Sequence, residues 1–305
     1  RCRHCMRDDY DDRDLDLDLY ARYLRDQVKH GQPQRISLTG GEPTLHAQLG
    51  EMLQISRKLG FSVAIMSNGQ DQQAAQTVVR KAGAIRAIGL SVDGPNAELN
   101  DQIRGQGAFR RLTESIVIYT KSKRIRRIFV RAVVTTLNKD HIPAYFRLAE
   151  QYGVRLHFTT LHPVTKAYRS GLEPTRADLA LAYKSFVKEK KAHPQVQAAF
   201  GRRHYRPFTK PEWPKTHCLS AQDNSDRVML LPDGKVAFCC DLPDIDFVTD
   251  RYQGPNEPLD YVLGDFNHES FDTILEKTDS DRGTLSSTAG RQPSRAADGR
   301  AAVHL

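Results

Sequence analysis

The chain has 305 residues, 39% hydrophobic and 27% charged, which is enough for one large α/β domain with an appendage or for two ordinary domains. No apolar run approaches the roughly 18 residues of a membrane span, and the opening RCRHCMRDDYDD does not read as a signal peptide. A helical membrane protein, a secreted disulfide scaffold and a wholly disordered chain are therefore excluded, while 45 Lys and Arg against 37 Asp and Glu favour anionic partners without naming one.

In chain order, the first feature is Cys2-Arg3-His4-Cys5. A CxxC taken alone leaves zinc, an iron–sulfur cluster and thioredoxin-like redox chemistry open, although no strand precedes it as the last would require. Residues 8–18, DDYDDRDLDLD, carry seven aspartates and read as a solvated face. A first amphipathic helix follows, with Leu17, Tyr20, Leu24 and Val28 on one side. RISLTG (35–40) is the first β-rich run, and a second helix aligns Leu45, Leu49, Met52 and Leu59 before stopping at Gly60.

Further strands are predicted at FSVAIMS (61–67), IRAIGLSVD (85–93), IFVRAVVTT (128–136) and VRLHFTT (154–160). A helix carrying Ile142, Phe146 and Ala149 is closed by Gly153. This alternation implies parallel strands joined by crossover helices, in an open doubly wound sheet or a partial barrel. KSKRIRRIFVR (121–131) holds six basic residues and no acid, and Lys184 to Lys210 holds eight against Glu189 alone; both read as solvated faces.

The pattern changes after about residue 170. A helix over RADLALAYKSFVKEKKAH leads into the Pro-rich, aromatic RPFTKPEWPK (206–215), a connector. RVMLLPDGKVAFCC (227–240) then reads as a β-hairpin turning at Pro232-Asp233-Gly234. From Lys277 to Leu305 no aromatic residue and no periodicity occurs, so a disordered tail is expected. The expected units are thus 1–170, a connector over 171–215, a small domain over 216–276 and the tail over 277–305.

The chemistry-bearing positions gather at predicted strand ends. Gly40-Gly41-Glu42-Pro43 ends the first strand, Ser67-Asn68-Gly69 the second and Ser91-Val92-Asp93-Gly94 the third. In parallel sheets ligands bind at these C-terminal ends, where glycines let a ligand approach the backbone. Any one of them is also an ordinary tight turn. The cysteines cluster at both ends of the chain, Cys2 and Cys5 early and Cys218, Cys239 and Cys240 late, which reads as metal or redox ligands in a reducing, cytoplasmic setting. His46, His157 and His162 are expected to be structural histidines. Lys166, Tyr168 and Arg169 follow the last predicted barrel strand and are candidates for substrate contact.

The ordered set of CxxC with an aromatic His4 before its last cysteine, GGEP, SNG, then SVDG followed by Asp101 and Arg104-Gly105, resembles the radical S-adenosylmethionine (SAM) superfamily over roughly residues 1–165. The resemblance implies a partial (β/α)6 barrel, a [4Fe–4S] cluster held through CxxxCxxC, and SAM. Cys2 and Cys5 match the last two cysteines; the first, and the first barrel strand, would fall upstream of Arg1. It further implies that the backbone of Gly40, Gly41 and Glu42, with Pro43 completing the motif, meets the methionyl amine of SAM. Ser67, Ser91 and Asp93 are then candidates for its ribose or carboxylate, and Arg104 for its carboxylate.

Cys218, fifteen residues, Gly234, four residues and Cys239 resemble the first half of a SPASM or Twitch auxiliary domain, as do Leu263-Gly264-Asp265 and the following FNHESFDTIL. The resemblance thereby implies an auxiliary iron–sulfur cluster on Cys218, Cys239 and Cys240. No cysteine follows Cys240, and Cys239 and Cys240 point to opposite faces of a strand, which favours Cys239 as the ligand. The activity implied is reductive cleavage of SAM, fed by a one-electron donor such as flavodoxin or ferredoxin, to a 5′-deoxyadenosyl radical that abstracts hydrogen from substrate. A peptide or protein is the leading substrate expectation and a small metabolite the alternative. A zinc-stabilised module binding nucleic acid is the competing class, against which stand the GGEP and SVDG strand ends.

Overall fold

The computed structural model describes residues 2–5, 13–30, 35–161, 170–201, 229–237, 262–274, 276 and 301–304. Their strands form one ten-stranded sheet in the order β6-β5-β4-β3-β2-β1-β10-β7-β8-β9. β1 (Arg35–Thr39), β2 (Ser62–Ser67), β3 (Ile85–Ser91), β4 (Arg127–Val134), β5 (Arg155–Thr160) and β6 (Ala198–Phe200) lie side by side in chain order, every pair parallel. The α/β class and the parallel strands with helical crossovers are as expected from the alternation, and five of these six strands coincide with predicted runs. β6, a three-residue AAF, was hidden because so short a run carries no period.

The connections are α2 (Leu49–Lys58), α3 (Gln72–Arg80), α4 (Ala97–Arg104) with α5 (Ala108–Lys121), α6 (Ile142–Tyr152) and α7 (Arg176–Ala192), after an opening α1 (Leu17–Lys29). Local chemistry sets their ends. Asp16 accepts from the Asp18 and Leu19 N–H groups at the start of α1, and Asn96 accepts from Leu99 N–H at the start of α4. Thr175 and Asp178 form a reciprocal capping box on α7. Gly153 ends α6 in the left-handed region at φ 63°, where a side chain would be strained.

One face of the sheet packs on the helices. Val63, Ile65, Ile88, Leu90, Val130, Ala132, Val134, Leu156 and Phe158 are buried there, and Phe158 meets Tyr145 of α6 and Phe186 of α7 edge-on. The helix faces differ from the sequence expectation at two residues. Val28 of α1 is exposed while Leu19 and Tyr23 are buried beside Tyr20 and Leu24, so the apolar stripe is rotated toward Tyr23. Leu45 is exposed because it belongs to the 3₁₀ turn Pro43–Leu45 and not to α2.

β7 (Met229–Leu230) and β8 (Lys235–Ala237) form the antiparallel hairpin expected around Pro232-Asp233-Gly234, and β9 (Val262–Asp265) adds antiparallel to β8. The strand and helical residues expected around Leu263 and Phe271 are present, residues 271–274 being helical. These parts share a core with α1: Tyr23 meets Phe266 and Phe271 edge-on, at ring distances of 5.9 and 5.7 Å. The tail expectation is corrected at residues 301–304. β10 (Ala301–His304) is a strand lying parallel between β1 and β7. It pairs along β1 at the position where the resemblance expects the first barrel strand. The pairing is made by backbone groups, so a short alanine- and valine-containing segment can take it despite having no pattern of its own. The connector 206–215 and residues 277–300 lie outside the described residues.

Candidate functional site

All three motif loops sit at the C-terminal ends of neighbouring strands β1, β2 and β3, and the Cys2–Cys5 segment joins them there. Glu42 ties the first two loops together. Its Oε1 accepts from Thr44 N–H (3.2 Å) and Thr44 Oγ1 (2.6 Å), and its Oε2 accepts from Asn68 N–H (2.6 Å). The carboxylate is therefore occupied as a clamp between the GGEP and SNG loops; Gly40 has φ 129°, which favours glycine. Ser67 is buried and its Oγ accepts from Gly69 N–H at 3.0 Å. Ser91 is half-buried at the end of β3, in register with Arg131 of β4.

Asp93 is the hub of the third loop and is wholly buried. Its N–H donates to Asn100 Oδ1 (3.0 Å), its C=O accepts from Asn138 Nδ2 (2.9 Å) and its Oδ1 accepts from Val133 N–H (3.2 Å). Asn138 in turn caps the end of β4 by accepting from Thr135 N–H and donating to Val133 C=O. Gly94 is required because a Cβ there would collide with the Asn100 backbone, so α4 can start directly against the strand end. Asp101 accepts from Gly107 and Phe109 N–H groups and fixes the α4–α5 corner.

The remaining oxygen, Asp93 Oδ2, draws the cysteine segment in. Arg104 Nε lies 2.6 Å from it and His4 Nε2 lies 3.3 Å from it. These approaches are ionic contacts in which Oδ2 and Arg104 Nε stay buried without an aligned hydrogen bond, and His4 Nδ1, the other ring nitrogen, is also buried without a partner. Burial holds the His4 imidazole below its usual range despite Asp93. Burial alone would lower the Arg104 guanidinium, but Asp93 and then Cys2 outweigh it and raise the group. Arg3 N–H donates to Ile103 C=O at 3.0 Å and Cys5 N–H to Cys2 C=O at 3.2 Å, which fixes the segment as a tight turn on the end of α4. Asp93 and Arg104, expected as direct SAM contacts, here face each other inside this hub.

Cys2 and Cys5 stand one turn apart, and burial pushes the Cys2 thiol up while the neighbouring Arg104 works against that rise. Two thiols beside a buried cation fit as thiolate ligands; among the described residues no group of three metal-ligating side chains forms. Cys218, Cys239, Cys240, His162, Lys166, Tyr168 and Arg169 lie outside the described residues. His46 is structural, as expected: its Nδ1 accepts from Gln48 N–H and its Nε2 donates to Leu15 C=O. His157 instead sits on the sheet face away from the helices. Sequence reasoning missed Asn100 and Asn138, since amides carry no periodic signature; their adjacency to strand ends was the available signal.

Among the described residues no helix is long and apolar enough to cross a membrane. Residues 1–149 match the model of the Radical SAM superfamily. The mycofactocin maturase MftC of Mycolicibacterium smegmatis is 27% identical over 169 residues, 53% of this chain and 41% of that protein. The AdoMet-dependent heme synthase of Oleidesulfovibrio alaskensis is 31% identical over 152 residues, 47% of this chain and 37% of that protein. The chain thus spans less than half the length of these two relatives. Among solved structures, Streptococcus suis SuiB bound to the precursor peptide SuiA superposes with a TM-score of 0.65 at 16% identity, covering 85% of this chain and 60% of that one. With the cysteine segment, the GGEP clamp and the SVDG hub converging at one end of a parallel sheet, residues 1–149 belong to the radical SAM superfamily, whose enzymes use a [4Fe–4S] cluster and S-adenosylmethionine.

Proposed function

We propose that this radical SAM protein modifies a peptide or protein side chain by hydrogen abstraction. The observation that carries the reaction class is the lock between Cys2–Cys5 and the strand ends, made by His4, Asp93 and Arg104. The peptide class is supported by the likeness to a mycofactocin maturase and to a fold seen with a precursor peptide bound. When bound, the cluster and SAM supply one-electron cleavage of the SAM C5′–S bond. The chain's own residues orient and exclude. Cys2 and Cys5 would ligate the cluster, and the backbone of Gly40, Gly41 and Glu42, ahead of Pro43, would accept the methionyl amine. Ser67 and Ser91 would meet the ribose or carboxylate. Asp93 and Arg104 act in this reading by holding the cysteine turn, with Arg104 able to offer its remaining guanidinium nitrogens to the SAM carboxylate.

Cys218, Cys239 and Cys240 belong, in the same reading, to an auxiliary cluster in the 216–276 unit, beyond a barrel domain over 1–170 and a connector over 171–215. Flavodoxin or ferredoxin in a reducing cytoplasm would supply the electron. A small-metabolite substrate is the second reading, favoured by the 31% identity to a heme synthase.

The test is 5′-deoxyadenosine release from SAM under dithionite by anaerobically reconstituted protein. Release absent from Cys5→Ala supports the radical chemistry, and no release from iron-loaded protein overturns it. A mass change in a co-incubated peptide decides the substrate class.

A further inference from the structure

We propose that Arg131, His157 and Thr159 form a carboxylate-binding site on the inner face of the sheet, which takes an acidic side chain of the substrate. This deepens the peptide reading and rests on it. The inner face is the one turned away from the helices. A Cβ at Gly89 would meet Met66 and Phe129 there, and the Phe129 ring lies 6.4 Å from the His157 ring. Alternation along β4 and β5 puts Arg131 on the same face as Phe129, and Thr159 on the same face as His157. The register sets Ser91, Arg131 and His157 side by side across three strands.

Arg131 is half-buried and its Nε is shielded with no hydrogen-bond partner; among the described residues no carboxylate pairs with it. A guanidinium cannot shed its charge, so one whose Nε is shielded without a partner suits an anion. Thr159 Oγ1 is likewise buried without a partner, further toward the ligand end of β5. Burial, and then Arg131, push His157 below its usual range, so near neutrality it is an uncharged donor and not a second cation. One fixed cation, two neutral donors and an apolar floor of Phe129 and Met66 suit a monoanionic carboxylate on a short apolar stem. The other five basic residues of the 121–131 run are exposed, so Arg131 alone of them is half-buried.

A carboxylate could come from the substrate or from SAM itself, and the experiment separates them. The SAM-loaded protein is titrated calorimetrically with N-acetyl-glutamate N-methylamide and with its glutamine counterpart. The expected result is at least tenfold tighter binding of the glutamate probe, lost in Arg131→Met and weakened in His157→Gln, with SAM affinity unchanged. Equal binding of the two probes by the unaltered protein overturns the site, and needs no variant to fold. Loss of SAM affinity in Arg131→Met with probe binding intact also overturns it, assigning the cation to SAM. Binding is read without radical chemistry. Failure to modify a peptide therefore overturns only the function reading, while loss of probe discrimination overturns only this site.

Discussion

The two faces of the central strands are built to opposite rules. Toward the helices, Val130, Ala132, Val134, Leu156 and Phe158 are apolar, buried and interlocked with Tyr145 and Phe186. Toward the interior, the same two strands present Phe129, Arg131, His157 and Thr159, with shielded polar atoms left unmatched. Apolar packing is concentrated on one face and unmatched polar atoms on the other, and the motif loops sit where the two meet, at the strand ends. Separation of this kind allows the inner residues to change while the outer ones hold the sheet.

The largest expected effect is at the meeting point. Asp93→Ala leaves Arg104 buried without its counter-charge and should cost about 3–5 kcal/mol in denaturant unfolding. A variant as stable as the parent would show that the hub does not bind the two faces together. On the outer face, Phe158→Ala removes a ring packed between α6 and α7 and should also cost about 3–4 kcal/mol. Its unfolding midpoint should fall while SAM affinity in the folded fraction stays constant.

Smaller effects are expected inside. Glu42→Gln weakens a clamp that accepts three hydrogen bonds and should cost about 1–2 kcal/mol, with a measurable drop in SAM affinity as the GGEP and SNG loops loosen. Met66→Leu on the inner face should cost less than about 1.5 kcal/mol, because the volume is kept.

The smallest effect is a pH dependence. The His157 pKa in the folded chain lies below its unfolded value of 6.5, so its contribution is complete above pH 6.5 and is lost as pH falls through that value toward the folded one. His157→Gln should flatten that acid-side decline in unfolding free energy, and an unchanged slope would remove His157 from the account.

How legible this was in the sequence depends on which face is considered. The outer face was readable, because alternation in SVAIMS or IFVRAVV is the signature of strands with one side packed. The strand-end loops were readable as glycine- and serine-rich punctuation. The hub was only partly so: Asp93 and Arg104 were singled out one by one as ligand contacts, and nothing in a linear sequence shows that they also pair with each other. Arg131 was absorbed into a basic run that reads as surface, since its inward direction depends on strand phase. Asn138 and β10 were invisible for the complementary reason that their partners are remote in sequence.

The sequential order of β1 to β6 also bears on how the protein is made. Each new strand finds its neighbour already in place beside it, so the sheet can extend from one side as the nascent chain emerges, with short loop closures at every addition. The pairing of β1 with β10 is different: it joins residues 36–39 to residues 301–304, the largest sequence separation between paired strands among the described residues, so it carries the largest loop-closure cost and should form after the β1 to β6 ladder.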